Sequence, residues 1–318
     1  MLYDKYWQLE GQVTTLYNQS NNIGALNLLE GAEKCLCKDE FNKHLFEIMM
    51  TKADFYSALK MYDKSIKVIS DLIISGLPCD NDIFDGEGIK SHPRYDELKA
   101  KNYILLEKAK RDAKFKYEVH MPKDYIKGKK YGLFIGLHGD PGNIEEFSEY
   151  WKPDEFLRHN LICVYVQASQ LYHHNGFCWN LDPLISRNEI KECYSILKKQ
   201  YSIDEKCVII GGFSGGAIAS LDITFADVIP IKGFICLGPD ISRAFTRDNV
   251  KLAVSRNVKG VFMEGEVLVP EPSQEKMIKI FDEVELKYEF YINKEIGHAV
   301  PKDLQDKLNK ALNFICNI

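Results

Sequence analysis

A glycine-flanked serine follows an apolar run near the middle of the chain. The segment GFSGG, residues 212–216, comes directly after the run CVII, residues 207–210. This order predicts a nucleophile elbow, in which a strand turns sharply into a helix and lifts a serine hydroxyl above the sheet edge. Glycines are needed there because side chains at the flanking positions would collide with the strand and the helix. Ser214 is therefore the candidate nucleophile.

A histidine suited to proton transfer lies far downstream. His298 follows the last predicted strand, 286–292, and precedes the final predicted helix, 302–315. A histidine in such a loop can take the proton from a serine hydroxyl and return it to a leaving group. His298 is the candidate general base, and a surface or capping histidine is the alternative.

The elements that must position these residues alternate between strands and helices from Phe115 onward. Apolar runs without alternation predict strands that are covered on both faces, at 115–121, 131–137, 161–168, 206–211, 231–237, 259–264 and 286–292. Helical patterns lie between most of them, at 143–158, 187–200, 215–228, 273–283 and 302–315. The alternation predicts an α/β fold with a mostly parallel sheet and right-handed crossovers.

Together, Ser214 in its elbow, His298 after the last strand and the His138-Gly139 loop resemble the α/β-hydrolase family. The nearest branch is that of the esterases and carboxylesterase/phospholipases, and the resemblance covers roughly residues 115–318. It implies a mostly parallel hydrolase sheet with helices on both faces, with Ser214 as nucleophile and His298 as base. The order of strand, serine, acid and histidine in that family matches the order available here.

The resemblance also implies an oxyanion hole made of two backbone N–H groups. One N–H would come from Gly215, which follows the nucleophile, and the other from the loop after strand 131–137. Pro141 in that loop has no N–H and cannot donate. Asp140 is therefore the candidate second donor, through its backbone and not its carboxylate, and His138 is expected to organise the loop. An ordinary Pro-Gly turn is the alternative.

The triad acid departs from the family pattern. After strand 259–264 the family places an aspartate where this chain has Leu268, and a leucine cannot accept the Nδ1–H of a histidine. Glu266 is the favoured substitute because it lies at the strand end and its side chain is longer. Glu271, Asp240 and the absence of any acid remain open. Loss of the acid costs about 10⁴ in turnover without changing the reaction class.

These features predict a serine hydrolase that cleaves carboxylic esters through an acyl-enzyme, with a small-molecule ester as substrate and no cofactor or metal. Trp179 lies in the loop region after strand 161–168, where the family lines its substrate cleft, although a buried structural tryptophan is equally expected. The adjacent His173 and His174 are expected to be exposed loop residues. A peptidase or lipase on the same fold, or a decayed hydrolase that serves as an interaction module, are the alternatives.

The first part of the chain is predicted to be helical, at 3–19, 22–37, 41–58 and 61–75, with breaks at 20–22 and 38–40. The spacing of Tyr56, Tyr62, Ser65, Ile66 and Pro78 resembles a tetratricopeptide helix pair. We expect a small all-α helical-hairpin domain at 1–78, a linker and connecting helix at 79–112, and the catalytic domain at 113–318. The helices would shape one side of the cleft or bind a protein partner.

Bulk composition excludes several other classes. With 45% apolar and 27% charged residues the chain is typical of a globular protein, and its net charge of -5 gives no basic surface for nucleic acid. No apolar run approaches the roughly 20 residues that span a bilayer, and the amino terminus does not resemble a secretory signal. Nine scattered cysteines are typical of reduced, buried thiols and predict a cytoplasmic location. Cys35 and Cys37 lack a second pair, so no zinc site is expected.

Overall fold

A computed structural model of the chain describes residues 2–269 and 271–316. The chain forms two compact units. The first contains the residues up to Ala113 together with the segments Leu171–Asn175 and Ile296–Ala299. The second contains Lys114–Gln170, Gly176–Glu295 and the residues from Val300 onward.

The helices of the first unit confirm the helical prediction for the first part of the chain. They are α1 (Tyr6–Asn18), α2 (Asn22–Glu30), α3 (Ala32–Cys35), α4 (Lys38–Lys43), α5 (Leu45–Ala58), α6 (Tyr62–Ile74), α7 (Glu87–Lys90) and α8 (Tyr95–Asp112), with a 3₁₀ turn at Asp82–Phe84. The break predicted at 38–40 was wrong, because those residues open α4. Asp39 and Glu40 lie in its first turn, where negative charge stabilises a helix.

Two apolar clusters hold this unit together. Leu9 of α1 and Leu26 of α2 pack in a cluster with Tyr56 of α5. Met50 of α5 packs in a second cluster with buried residues of α6 and with Leu98 of α8. The apolar residues three and four apart in the sequence therefore face one another between neighbouring helices.

Residues 79–112, predicted as a linker and connecting helix, contain buried anchors. The buried Asn102 side chain of α8 accepts a hydrogen bond from the Cys79 N–H at 2.8 Å and donates to the Cys79 carbonyl at 2.9 Å. Ile83 and Phe84 are buried beside this point. One amide side chain thereby satisfies both backbone groups of a buried loop residue, which fixes the loop against α8.

The second unit is built on a seven-stranded sheet, and each strand agrees with a predicted one. The strands are β1 (Lys116–His120), β2 (Tyr131–Leu137), β3 (Leu161–Gln167), β6 (Ile203–Phe213), β7 (Gly233–Leu237), β8 (Lys259–Gly265) and β9 (Lys287–Asn293), in the order β1-β3-β2-β6-β7-β8-β9. Only β1 is antiparallel to its neighbour among these described strands. Two short strands, β4 (Gln170–His173) and β5 (Gly176–Cys178), were not predicted.

The helices of the second unit follow the predicted alternation with local differences. They are α9 (Ile144–Tyr150), α10 (Asp154–Arg158), α11 (Pro183–Gln200), α12 (Gly215–Phe225), α13 (Arg247–Ser255), α14 (Pro272–Glu283) and α15 (Leu304–Cys316), with a 3₁₀ turn at Glu266–Leu268. The single helix predicted at 143–158 is two helices, because Pro153 keeps the preceding residue out of the helical conformation. The helix α13 was missed.

Apolar side chains cover both faces of the sheet. On one face Phe134 stacks on Phe156 with ring centroids 3.7 Å apart, and Leu308 of α15 belongs to the same cluster. On the other face Phe281 of α14 stacks on Phe262 of β8 at 5.2 Å. The unit is thus a mostly parallel α/β sheet with helices on both faces, as the sequence predicts.

No helix in the described ranges has both the length and the apolar character that crossing a membrane requires.

Candidate active site

The predicted elbow is present at Ser214. β6 ends at Phe213, α12 begins at Gly215, and Ser214 between them has φ 52° and ψ −118°. A positive φ is strained for a residue with a side chain. The Ser214 N–H donates to the Leu237 carbonyl of β7 at 2.8 Å, which helps to hold this conformation. The serine residue is half-buried.

The glycines on each side of the elbow allow close backbone approach, as predicted. A Cβ on Gly212 would lie 2.3 Å from the carbonyl oxygen of Leu137, and one on Gly216 would lie 2.2 Å from that of His138. Both distances are much shorter than a van der Waals contact, and the atoms approached belong to the backbone, which cannot rotate away. The elbow therefore packs directly on the loop that follows β2, and any side chain at these two positions would separate them.

The Asp140 carboxylate is held by a neighbouring loop. It accepts hydrogen bonds from the Trp179 N–H at 2.9 Å, the Asn180 N–H at 3.1 Å and the Asn180 Nδ2 at 2.7 Å. Burial raises the pKa of this carboxyl to about 6, and the three hydrogen bonds oppose that rise. The side chain is therefore occupied in fixing its own loop.

His138 organises the same loop, as expected. It is 1% exposed, its Nδ1 contacts the Gly139 carbonyl at 2.7 Å, and its Nε2 accepts the Ala168 N–H at 3.3 Å. Burial lowers the pKa of His138 to about 4, so the imidazole is neutral at neutral pH. Both ring nitrogens are thus engaged with the backbone.

Trp179 is fully buried, and its indole N–H donates to the His138 carbonyl at 3.0 Å. Of the two roles predicted for this side chain, a pocket wall and a structural tryptophan, the geometry supports the structural one. A side chain without exposed surface cannot line an open cleft. Its neighbour Asn180 was missed by the sequence reasoning, because the contact to Asp140 spans 40 residues.

The two predicted donor residues lie side by side. A Cβ on Gly215 would be 2.2 Å from Asp140 Cγ, and Asn180 Nδ2 donates both to the Asp140 carboxylate and to the Gly215 carbonyl at 2.9 Å. Among the hydrogen bonds that described residues form in turns, loops and helix caps, none is donated by the N–H of Asp140 or of Gly215 to a backbone carbonyl. The structure therefore brings Ser214, Gly215 and Asp140 together at one end of β6 and β2.

His298 lies in the loop between β9 and α15, in the segment Ile296–Ala299 that groups with the first unit. There a Cβ on Gly297 would be 2.5 Å from Asn18 Nδ2, and one on Gly11 would be 3.3 Å from Ala299 Cβ. Helix α1 therefore contacts the residues on both sides of His298. Burial lowers the pKa of the imidazole. Its pairing with Ser214 stays a prediction.

The candidate acids have different surroundings. Glu266 is exposed in the turn after β8, and its Oε2 accepts the Glu295 N–H at 3.0 Å. Asp240 is exposed and accepts the N–H of the next residue, while Glu271 lies at the amino end of α14. Glu266 thus contacts the loop that leads to His298, and the identity of the acid stays a prediction.

A further carboxyl, Glu264, was missed. It is 3% exposed at the end of β8 and accepts hydrogen bonds from the Gly265 N–H at 2.8 Å and from Gln274 Nε2 at 2.5 Å. Burial raises its pKa to about 7. An acidic residue inside an otherwise apolar strand was the available signal, because such a residue must find a buried partner.

Comparison with known proteins identifies the fold. No protein-family model and no curated protein matches the chain. A crystal structure of an uncharacterized protein from Bacillus cereus ATCC 10987 is 22% identical with a TM-score of 0.54, and the match covers 98% of this chain and 99% of that one. That match extends over both units.

Two enzyme structures match about two thirds of the chain. A ferulic acid esterase is 16% identical with a TM-score of 0.52, and the match covers 64% of this chain and 92% of the esterase. A dienelactone hydrolase-like promiscuous phosphotriesterase, P91, from metagenomic libraries is 9% identical with a TM-score of 0.52, covering 65% and 94%. At these identities the likeness establishes a shared α/β fold.

Proposed function

We propose that the chain is a serine hydrolase of carboxylic esters in the α/β-hydrolase family, acting through an acyl-enzyme. The observation that carries the proposal is Ser214 at a strained strand-to-helix turn, beside the Gly215 and Asp140 amides. A positive φ at a non-glycine residue is costly, and such strain clusters at functional sites. The esterase structures that share the fold support the same reaction class.

In the proposed reaction, the Ser214 hydroxyl attacks the ester carbonyl while His298 takes its proton. The negative charge that develops on the carbonyl oxygen is stabilised by the Gly215 and Asp140 N–H groups. His298 then gives the proton to the departing alcohol, and water attacks the acyl-enzyme by the same route in reverse. Burial lowers the pKa of His298, which favours the unprotonated imidazole that a general base requires.

The hydrogen bonds at the Asp140 carboxylate support its backbone as a donor. Three donors from residues 179 and 180 fix the side chain, and the Asn180 amide also fixes the Gly215 carbonyl. The two N–H groups are therefore held before substrate arrives, and no reorganisation is needed as charge develops. A pre-organised donor of this kind contributes about 3–4 kcal/mol to transition-state stabilisation.

Exposed apolar side chains next to this loop favour an ester with an apolar part. Leu181 follows Asn180 directly and is 56% exposed, and Leu184 and Ile185 in the first turn of α11 are also exposed. Apolar surface at the rim of a site stabilises a bound hydrocarbon or aromatic group by about 25 cal/mol per Å² buried. We therefore propose a small ester with an apolar acyl or alcohol group as substrate.

Glu266 is the proposed acid, through the loop that leads to His298. Its hydrogen bond to the Glu295 N–H supports a carboxylate directed at that loop. We also propose that the protein is cytoplasmic. The helical first unit is proposed to shape one side of the cleft or to bind a protein partner.

The proposal is tested with p-nitrophenyl esters of increasing acyl length. We expect a burst of p-nitrophenol followed by steady turnover, with Ser214→Ala lowering kcat by at least about 10³-fold. Ser195→Ala is the matched control, since Ser195 is exposed on α11 and its hydroxyl donates to the Lys191 carbonyl of the same helix. Background rates for every ester, or equal rates in both variants, would overturn the proposal and favour a non-catalytic protein.

A further inference from the structure

Two thiols from distant parts of the sequence lie together in the second unit. Cys207 is in β6, and Cys316 is the last residue of α15. Both are partly buried against the same apolar cluster on one face of the sheet, and the two side chains are within hydrogen-bonding reach. All nine cysteines are free, so this pair is reduced in the structure.

Close packing positions the thiol of Cys207 and the last turn of α15, which carries Cys316. A Cβ on Gly132 of β2 would lie 2.8 Å from Cys207 Sγ, which places the sulfur over the neighbouring strand. A Cβ on Gly233 of β7 would lie 2.6 Å from Ile315, so the last turn of α15 presses on the next strand. The absence of side chains at these glycines therefore lets the end of α15 approach the sulfur of β6.

The charges around the pair favour a thiolate at Cys316. The pKa of Cys316 is lowered first by the hydrogen bond from Cys207 and further by the positive charges of Lys259 and Lys232, while burial opposes this. Lys259 Nζ also donates to the Phe314 carbonyl at 2.5 Å, which offsets the negative end of the helix dipole. Cys207 has the opposite shift, since its pKa is raised by donating to Cys316, by burial and by Asp204.

We propose that Cys207 and Cys316 form a reversible oxidation site, at which hydrogen peroxide converts the two thiols into a disulfide between β6 and the end of α15. Partly exposed thiolates with an adjacent second thiol are the cysteines that oxidise selectively. Cys316 is partly exposed, and Cys207 lies beside it.

The reaction balances with peroxide as the oxidant. The Cys316 thiolate attacks one peroxide oxygen, the O–O bond breaks, and the departing hydroxide takes a proton to become water. The sulfur of Cys207 then attacks the resulting sulfenic acid, the S–O bond breaks, and the hydroxide released takes the Cys207 proton. The sulfur pair loses two electrons, and the peroxide becomes two water molecules. A dithiol reverses the change by thiol–disulfide exchange.

The cross-link would enclose the segment that carries the candidate catalytic residues. Ser214 and His298 both lie between Cys207 and Cys316 in sequence. A disulfide that closes a long loop restricts the unfolded chain, so oxidation is expected to raise the unfolding temperature of the second unit. Oxidation of the pair does not depend on the proposed ester hydrolysis, because Cys207 lies in the middle of β6 and not in the elbow at Ser214.

The test uses the full chain carrying Cys35→Ser and Cys37→Ser, which removes the two thiols most easily confused with the pair. After a small excess of hydrogen peroxide, we expect two of its seven remaining thiols to be lost, since the chain has nine cysteines. Peptide mapping without reduction should show one linked pair, Cys207 with Cys316, and dithiothreitol should restore both thiols. Cys193→Ser is the matched control, because Cys193 is buried in α11 and its removal should leave the linked pair intact.

Two variants test the order of the steps. Cys207→Ser should leave a sulfenic acid on Cys316 that dimedone traps, and Cys316→Ser should abolish both the trapped acid and the loss of paired thiols. Circular dichroism reports whether each variant is folded, and Cys207→Ala replaces Cys207→Ser where the hydroxyl is not tolerated. A linked pair other than Cys207–Cys316, or an equal loss of thiols in the folded Cys316→Ser chain, would overturn the proposal.

Discussion

Substitution of Gly215 by alanine tests the proposed oxyanion hole through a contact that the structure defines. The new Cβ would lie 2.2 Å from Asp140 Cγ and 2.3 Å from Asp140 Cβ. Asp140 cannot yield by a side-chain rotation alone, because its Cβ is attached to the backbone and three hydrogen bonds from residues 179 and 180 hold its carboxylate. The Asp140 loop must therefore move away from α12, and its N–H moves with it.

The expected loss follows from the displacement of one donor. Removal of a single oxyanion-hole donor costs about 10²–10³ in kcat, or about 3–4 kcal/mol of transition-state stabilisation. Ground-state binding depends less on that donor, so KM should change little. The helix itself should not suffer, since alanine is a better helix former than glycine.

The measurement is kcat and KM for p-nitrophenyl esters with the wild type, Gly215→Ala and Gly31→Ala. Gly31→Ala is the matched control because Gly31 lies at the end of α2, outside the candidate site, and its Cβ would meet the carbonyl oxygens of Asn27 at 3.4 Å and Leu28 at 3.6 Å, which are ordinary contacts. We expect a large fall in kcat for Gly215→Ala and less than a roughly threefold change for Gly31→Ala. Unchanged kcat in a folded Gly215→Ala protein would refute the assignment of Gly215 and Asp140.

Three further predictions concern stability, pH and the histidine loop. Asp222 is buried, accepts two hydrogen bonds from Arg187 at 2.6 and 3.0 Å, and accepts the N–H of residue 244 at 2.8 Å. Asp222→Ala should therefore lower the free energy of unfolding in urea by about 3 kcal/mol, and a loss under about 1 kcal/mol would contradict this. Burial lowers the pKa of His298 from 6.5, and the general base must be unprotonated. We therefore expect kcat/KM to fall as the pH is lowered, with the midpoint of the fall below pH 6.5. A midpoint above pH 6.5 would count against His298 as the base. Gly11→Leu should displace Ala299 and lower kcat about tenfold. Gly11→Ala should change kcat little, because its Cβ would lie 3.3 Å from Ala299 Cβ. Equal kcat in the two variants would refute a role of α1 in placing the loop that carries His298.

The sheet could be predicted because its strands carry a local signal. Runs such as residues 161–166 are apolar at every position, as expected for a short strand covered on both faces, and β3 is buried throughout. The elbow could also be predicted from a local signal, because the glycines around Ser214 indicate that two backbone segments approach each other closely. Residues 143–158 were predicted as one helix because their apolar periodicity is continuous. Pro153 disfavours the helical conformation of the residue before it, and the segment forms two helices, α9 and α10.

The supporting contacts of the candidate site could not be predicted in the same way. The Asp140 side chain meets Asn180 across 40 residues, and β5, which contributes to that loop region, has only three residues. Such contacts depend on which loops the topology brings together and leave no periodic pattern in the sequence. Glu264 shows the same limit, because its partner Gln274 lies on the following helix.

The most direct test of the central claim is covalent labelling with a fluorophosphonate, followed by intact mass measurement and peptide mapping. We expect one phosphonyl group per chain, located on Ser214, and no label on Ser214→Ala under the same conditions. A folded wild-type chain that takes up no label, or one labelled equally in the Ser214→Ala variant, would contradict it.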